Sequence, residues 1–449
     1  EPYKQLYYNI LIYRTPLYVL MVSCLSLWTA CSEDDKGTSE PVDEAYLEVG
    51  QDSFKGVQSD GGVYTLSVST NQEWSLTSDK QWCVVQGTGS GSGSAEVQIE
   101  LKENYEADSR TATLLLTAVQ QEDLSVEIQV EQPGKAYQAD AHYKIPVVFQ
   151  VLYANRNNEN QYVREGHLKE VLDRVNSLYK QSGVNMNLEF VMAEETPDGK
   201  PMEEPGVNRV AWTSSTIDCE KFMSSSEERY LNLVWDPNRY INVFLYTFST
   251  SNILGISQFP FVVAPDALPG VTQWQGEVPG VEQLNRPQCV SINNRYVYDF
   301  SDPLSPEHPD GADTNVAGTL AHELGHFLGL RHVFSETYTG RCADTDYCED
   351  TPSYDRNVYL KLVNFYGTAY KEHLDELICR EECASGITFV SDNIMDYSIS
   401  YADAFTPEQQ ERVRYILEHA VFIPGPKAPR TAARSRSTAK LDLPFELMK

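Results

Sequence analysis

Residues 322–332 read His-Glu-Leu-Gly-His-Phe-Leu-Gly-Leu-Arg-His, and this run constrains the chain more than any other because it spells three metal ligands and a base. On a helix, His322 and His326 are four apart and share a face, so two imidazoles can converge on one zinc ion. Glu323 projects toward the same cavity, where a carboxylate can take a proton from water on the metal. Gly329 lets the helix stop, since glycine accepts the left-handed backbone that turns a chain sharply. That turn returns His332 as third ligand. A bare His-Glu-x-x-His also occurs on ordinary helices with solvated histidines, but the extension to Gly329 and His332 is hard to reach by accident in a chain with 8 histidines.

Upstream, Asp313 and Thr314 are the expected N-cap residues, and Val316, Ala317, Leu320, Leu324, Phe327 and Leu328 recur at helical spacing as an apolar face. Downstream, Asn393-Ile394-Met395-Asp396-Tyr397 resembles the methionine turn that floors the zinc site in metzincins. A lone methionine is ordinarily core filler, so the reading rests on pairing this turn with the long zinc motif.

Together with Ile145–Val148, Gly255–Pro260, Asp350-Thr351-Pro352 and Ala404–Pro407, in this order, these segments resemble the pappalysin family of metzincin metallopeptidases, in its ulilysin-like branch, over residues 140–425. The resemblance implies a zinc endopeptidase acting on protein or peptide substrates, with Glu323 as general base and Tyr397 as a stabiliser of the oxyanion. It implies that Leu254–Pro260 is the sheet edge on which substrate lies as an added strand. Asp403 would lie at the floor of the pocket for the residue just after the cleaved bond and select Arg or Lys, and the loop holding Asp344, Asp346 and Asp350 would bind calcium through hard oxygen ligands. The competing class is a surface adhesin or glycan-binding lipoprotein without activity. Intact ligands and an intact base argue against it.

The 65 acidic against 35 basic residues give a net charge of −30, which excludes nucleic acid as a natural partner. Residues 1–30 read as a lipoprotein signal peptide: Lys4 and Arg14 precede an apolar stretch from Leu17 to Trp28, too short for a membrane span, and Thr29-Ala30 leads into Cys31, the expected lipidated residue. An acidic stretch follows, like that of surface-exported lipoproteins, and residues 31–44 read as a tether. The expected location is the outer face of the outer membrane.

Residues 45–135 carry short alternating runs at Val63–Val68, Ala95–Leu101, Ala112–Leu116 and Val126–Val130, separated by turn residues. They predict an all-β, immunoglobulin-like sandwich, and Gly61-Gly62, Asn71, Trp74, Trp82, Asn104, Arg110 and Val130-Glu131-Gln132 resemble the BACON domain of surface proteins. Glycan binding is implied by that resemblance, but Trp74 and Trp82 read as packing residues, so a spacer role is expected. An α/β (α+β) catalytic domain then spans 140–425, with a strand at Tyr143–Tyr153, a helix over 165–181, strands at Asn187–Met192 and Ile241–Phe248, the zinc helix, and a last helix through Glu418 opened by the capping box Thr406-Pro407-Glu408-Gln409. Residues 426–449 lack periodicity and read as a flexible tail. Beyond Cys24 and Cys31, seven cysteines remain. Cys342, Cys348, Cys379 and Cys383 bracket the loop between third ligand and methionine turn and suit two bridges. Cys219 and Cys289 are further disulfide candidates, and Cys83 is the expected unpaired thiol. The family's pairing cannot be copied, because one of its cysteines falls where this chain has Ala402.

Overall fold

The computed structural model describes residues 44–181, 183–301, 315–336, 342–397 and 399–449, so the signal segment, Cys31 and nearly all of the tether lie outside the described residues. Residues 45–449 form one compact unit. Its first part holds β1 (Leu47–Val49), β2 (Ser53–Phe54), β3 (Gly62–Thr70), β4 (Glu73–Ser78), β5 (Cys83–Val85), β6 (Ser90–Ser92), β7 (Ala95–Leu101), β8 (Arg110–Ala118) and β9 (Gln121–Gln132). They make two sheets, β1-β3-β7-β5 and β2-β9-β8-β4-β6. Alternation along each strand turns Leu66 and Val68, Ile99 and Leu101, Leu114 and Leu116, and Ile128 and Val130 inward to one shared core. Trp74 and Trp82 are buried in it. The Trp74 ring N–H donates to the Gly93 carbonyl at 2.8 Å, and Arg110 stacks on Trp82 at 4.4 Å. Neither ring is an open sugar platform.

A mostly parallel sheet organises the second part. It runs β11 (Leu188–Met192), β10 (Tyr143–Tyr153), β13 (Ile241–Tyr246), β17 (Val290–Asn293), β14 (Gly255–Gln258) and β20 (Leu447–Met448), with β12 (Val207–Ala211) also on β10. The central strand β10 is buried almost throughout, which is why it reads as continuous Ile-Pro-Val-Val-Phe-Gln-Val-Leu rather than alternating. Only β14 runs against the rest of this sheet, antiparallel to β17 on one side and to β20 on the other. Smaller pairs are β15 (Phe261–Val263) with β16 (Thr272–Trp274), and β18 (Cys379–Glu381) with β19 (Thr388–Val390).

Helix α1 (His167–Gln181) presents Leu168, Val171, Leu172 and Val175 to the same core as Leu320 and Leu324 of α4 (Val316–Phe327), and the Tyr179 hydroxyl donates to the Ala321 carbonyl at 3.1 Å. Between them lie the short helices α2 (Cys219–Ser224) and α3 (Glu228–Leu231); α5 (Arg356–Tyr366), α6 (Leu374–Leu377) and α7 (Pro407–His419) follow. α7 begins with the expected capping box: Gln409 N–H donates to Thr406 Oγ1 and Thr406 N–H to Gln409 Oε1. The cap of α4 differs from expectation. Asn315 accepts from the N–H groups of Ala317 and Gly318, while Asp313 and Thr314 lie outside the described residues.

One expectation is corrected here. The stretch 426–449 is not a loose tail: Ser435 N–H donates to the Val278 carbonyl, Leu441 N–H to the Gln283 carbonyl, Leu443 and Met448 are buried, and β20 closes the sheet on β14. Long-range pairing orders a segment with no periodicity of its own. The β-rich first part is tied to the second by Arg239 donating twice to Glu106 at 2.9 and 3.2 Å and by Lys102 donating to Glu194 at 2.8 Å.

Candidate catalytic metal centre

Helix α4 turns His322 and His326 to one side, and its termination brings back the third imidazole. The Leu330 N–H donates to the Gly325 carbonyl and the Gly329 N–H to the His326 carbonyl, each at 2.9 Å, with Gly329 at φ +89°. A Cβ at position 329 would lie 2.5 Å from Ile416 Cγ1, so both backbone and packing demand glycine. His322, His326 and His332 then offer ligand nitrogens within 4.8 Å of one another, all buried, the one such group among the described residues.

What surrounds the rings sets their tautomers. Each Nδ1 faces an acceptor: the Ile394 carbonyl for His322 at 2.8 Å, the Leu330 carbonyl for His326 at 2.7 Å, and Glu336 Oε1 for His332 at 2.6 Å. An acceptor there places the proton on Nδ1 and leaves the Nε2 lone pair free. The Nε2 atoms of His326 and His332 are 3.1 Å apart, and neither has a proton to donate to the other. His322 Nε2 is buried without a partner. A cation at their meeting point satisfies all three lone pairs, and zinc suits three imidazoles with one position left open. Burial holds the rings in the neutral, ligating form: the His322 pKa is pushed down to about 4, and those of His326 and His332 fall well below the usual range, chiefly by desolvation and then by the neighbouring imidazoles.

Glu323 is 3 % exposed, its Oε2 has no protein partner, and burial pushes its pKa well above the carboxylate range. It faces a cleft of about 430 Å³ lined also by His322, Leu254, Gly255, Arg356 and Tyr397. Strand β14 passes so close that a Cβ on Gly255 would sit 2.5 Å from Glu323 Cγ. Met395 is fully buried beneath α4, where a Cβ on Gly325 would meet its Sδ at 2.5 Å. The turn is held from two sides. Asn393 and Gln409 exchange side-chain hydrogen bonds at 2.9 and 3.1 Å, tying the methionine turn to the α7 cap, and buried Asp396 accepts from Tyr354 and Ser391 and pairs with Arg380 at 3.4 Å. Tyr397 packs its ring 4.4 Å from that of His332, and its hydroxyl is buried without a partner.

The sequence reading missed Glu336, Arg356 and Arg380. Glu336 follows His332 by four residues, a weak local signal. Arg356 stacks on Tyr397 at 4.5 Å and Arg380 on Tyr359 at 3.7 Å, contacts that only the tertiary fold creates.

Three expectations do not converge on the centre. Asp403 is exposed and lies near Asp392; Ala402 takes the place at the cleft wall. The acidic loop does not gather three carboxylates: Asp344 accepts from Asp346 and Tyr347 N–H, Asp346 accepts from the Thr351 hydroxyl at 2.6 Å, and Asp350 accepts from Glu408 N–H in the first turn of α7. Of the cysteines, Cys342 and Cys383 are bridged, whereas Cys348, Cys379, Cys219 and Cys289 are free thiols, so the second loop bridge is absent. Cys83 is free and buried in the β-rich part, its thiol pushed up to about 11 by desolvation.

The peptidase family described as pregnancy-associated plasma protein-A matches residues 290–418, and the BACON family, described as an N-terminal binding domain, matches residues 72–133. An extracellular metalloprotease of Arthroderma benhamiae is 25% identical over 268 residues, 58% of this chain and 74% of the relative. An extracellular metalloprotease of Aspergillus oryzae is 31% identical over 122 residues, 26% of this chain and 34% of the relative. Mature mirolysin of Tannerella forsythia, solved with a cleaved peptide, is 21% identical, with a TM-score of 0.40, over 63% of this chain and 92% of that one.

Proposed function

We propose that this chain, a metalloendopeptidase with a pappalysin-type catalytic domain and a BACON domain, holds one zinc ion on His322, His326 and His332 and cleaves peptides with Glu323 as general base. The observation that carries the reading is the set of Nδ1 acceptors that turns three buried Nε2 atoms to one point. Zinc there supplies an electrophile for the scissile carbonyl and lowers the pKa of water toward neutrality. Glu323 takes the proton from the attacking water at Oε2 and delivers it to the leaving amine; its dry surroundings favour the protonated form it must pass through. Burial keeps the Tyr397 phenol protonated, so its unpartnered O–H is a ready donor to a developing oxyanion. Glu323→Gln should lower turnover of a fluorogenic peptide by about 10²–10⁴-fold with zinc content unchanged. Near-parental activity in that variant, or turnover indifferent to chelator, refutes the mechanism.

Finer readings belong with this proposal. Cleavage before Arg or Lys is supported by the acidic pair that flanks the methionine turn: the Asp403 N–H donates to the Asp392 carbonyl at 2.9 Å, and the Asp392 pKa is raised by partial burial and by the Asp403 charge, a repulsion that a cationic side chain relieves. Library profiling of parent and Asp403→Ala tests it, and a parental preference for Leu or Phe sinks it. Calcium binding at 344–350 rests on the buried Asp346, whose pKa desolvation and the neighbouring Asp344 raise to about 7, so that a cation there would relieve both; melting indifferent to calcium after dialysis removes it. Anchoring through acylated Cys31 at the outer membrane surface agrees with the curated relatives being extracellular proteases. Mass spectrometry of the native N-terminus decides that.

A further inference from the structure

The outer edge of β14 is where an extended substrate would add a strand, and it is already taken. β20 pairs antiparallel with it, Met448 opposite Ser257 and Leu447 opposite Gln258. Continuing this register sets Lys449 opposite Ile256, beside Gly255, the residue packed against Glu323. Lys449 lines the same cleft as His322 and Glu323. The segment therefore runs along the edge and points toward the scissile position, as a bound peptide would.

Its attachment is specific at several points. Glu446 pairs with Arg331 at 2.8 Å, and its carbonyl accepts from Phe259 N–H at 2.9 Å. Asp442 pairs with Arg286 at 2.7 Å, and that guanidinium also lies 4.9 Å over the Phe445 ring. Leu443 is buried with Phe261 and Phe422. Arg331 precedes the third histidine and approaches Glu336, the acceptor of His332 Nδ1, at 3.9 Å. The hold on the segment thus abuts the partners of the metal centre. Ladder hydrogen bonds are satisfied by one strand at a time, so substrate and segment exclude each other.

We propose that residues 442–449 form an intramolecular strap that occupies the substrate edge and holds the peptidase in a closed state until the strap is displaced or cut. This rests on the reading of the β14 edge as the substrate's place beside the catalytic centre. If the open state holds about a tenth of the population, the strap weakens apparent substrate affinity about tenfold.

The test uses the full chain with Met448→Pro, which is unfit for a strand ladder, and separately Glu446→Lys, which reverses the pair with Arg331. Each should raise kcat/KM on an extended fluorogenic peptide by about tenfold, mainly through KM. A synthetic peptide of residues 441–449 should inhibit Met448→Pro competitively and the parent less. The same substitutions in a Glu323→Gln background, read by binding of a dye-labelled extended peptide, should raise affinity by a similar factor whether or not Glu323 is the base, so failure of the catalytic reading and failure of the strap are told apart. Unchanged or weaker binding in both variants at parental melting temperature overturns the strap. If neither variant folds, absence of competitive inhibition of the parent by the peptide does so.

Discussion

At the scale of single residues, the centre depends on groups that touch no substrate. Glu336 fixes the His332 ring through Nδ1, so Glu336→Ala should weaken zinc binding by about 10–100-fold, measured by competition with a chromophoric chelator; unaltered affinity would show that the carboxylate does not orient the ring. Burial of three neutral imidazoles also makes the metal-free protein acid-sensitive. The His322 pKa is about 4 in the fold against 6.5 for the free side chain, so between these values the unfolded chain takes up a proton that the folded chain refuses. Stability is therefore lost as pH falls below about 6.5, at about 1.4 kcal/mol per pH unit for each such ring. Calorimetry in chelator from pH 7.5 to 5 should show the melting temperature falling steeply, with added zinc protecting. A flat profile would mean the rings are solvated.

At the scale of elements, the end of α4 and the start of α7 do the positioning. Gly329→Ala forces a left-handed φ on a residue with a Cβ and drives that atom toward Ile416, which should cost about 1–3 kcal/mol and displace His332. Urea unfolding measures the first effect and zinc titration the second; parental values for both would remove Gly329 from the account. Thr406 and Gln409 make the capping box, yet Gln409 also grips Asn393 under the metal site. A cap written in four adjacent residues thus sets the height of a turn that lies before it in the chain.

Across the whole molecule, the β-rich part and the peptidase part share one compact unit. Glu106→Ala should leave Arg239 half-buried without its partner, at a cost of about 1 kcal/mol once solvent screening is allowed for, and should broaden or split the melting transition seen by calorimetry. One sharp transition at the parental temperature would show that apolar contacts alone hold the parts together. The strap acts at this scale too, because it joins residues about 190 positions apart on one sheet edge.

What the sequence determined by itself is local in origin. The spacing of His322, Glu323, His326, Gly329 and His332 lies within one helix and one turn, so helical geometry and glycine's freedom suffice to bring the ligands together. The Thr406–Gln409 cap and the buried strand β10 were legible for the same reason: short-range hydrogen bonding and a continuous apolar run leave few alternatives. Asn315 as the cap of α4, Glu336 and Arg356 beside the rings, Asp403 outside the cleft, Asp350 serving α7, and the single Cys342–Cys383 bridge were decided by tertiary structure, since each depends on which distant segments meet. The residues from 426 onward are the clearest case. Their sequence has no period that favours helix or strand, and they are ordered because an exposed edge of β14 offers unpaired backbone groups that only a long-range partner can satisfy.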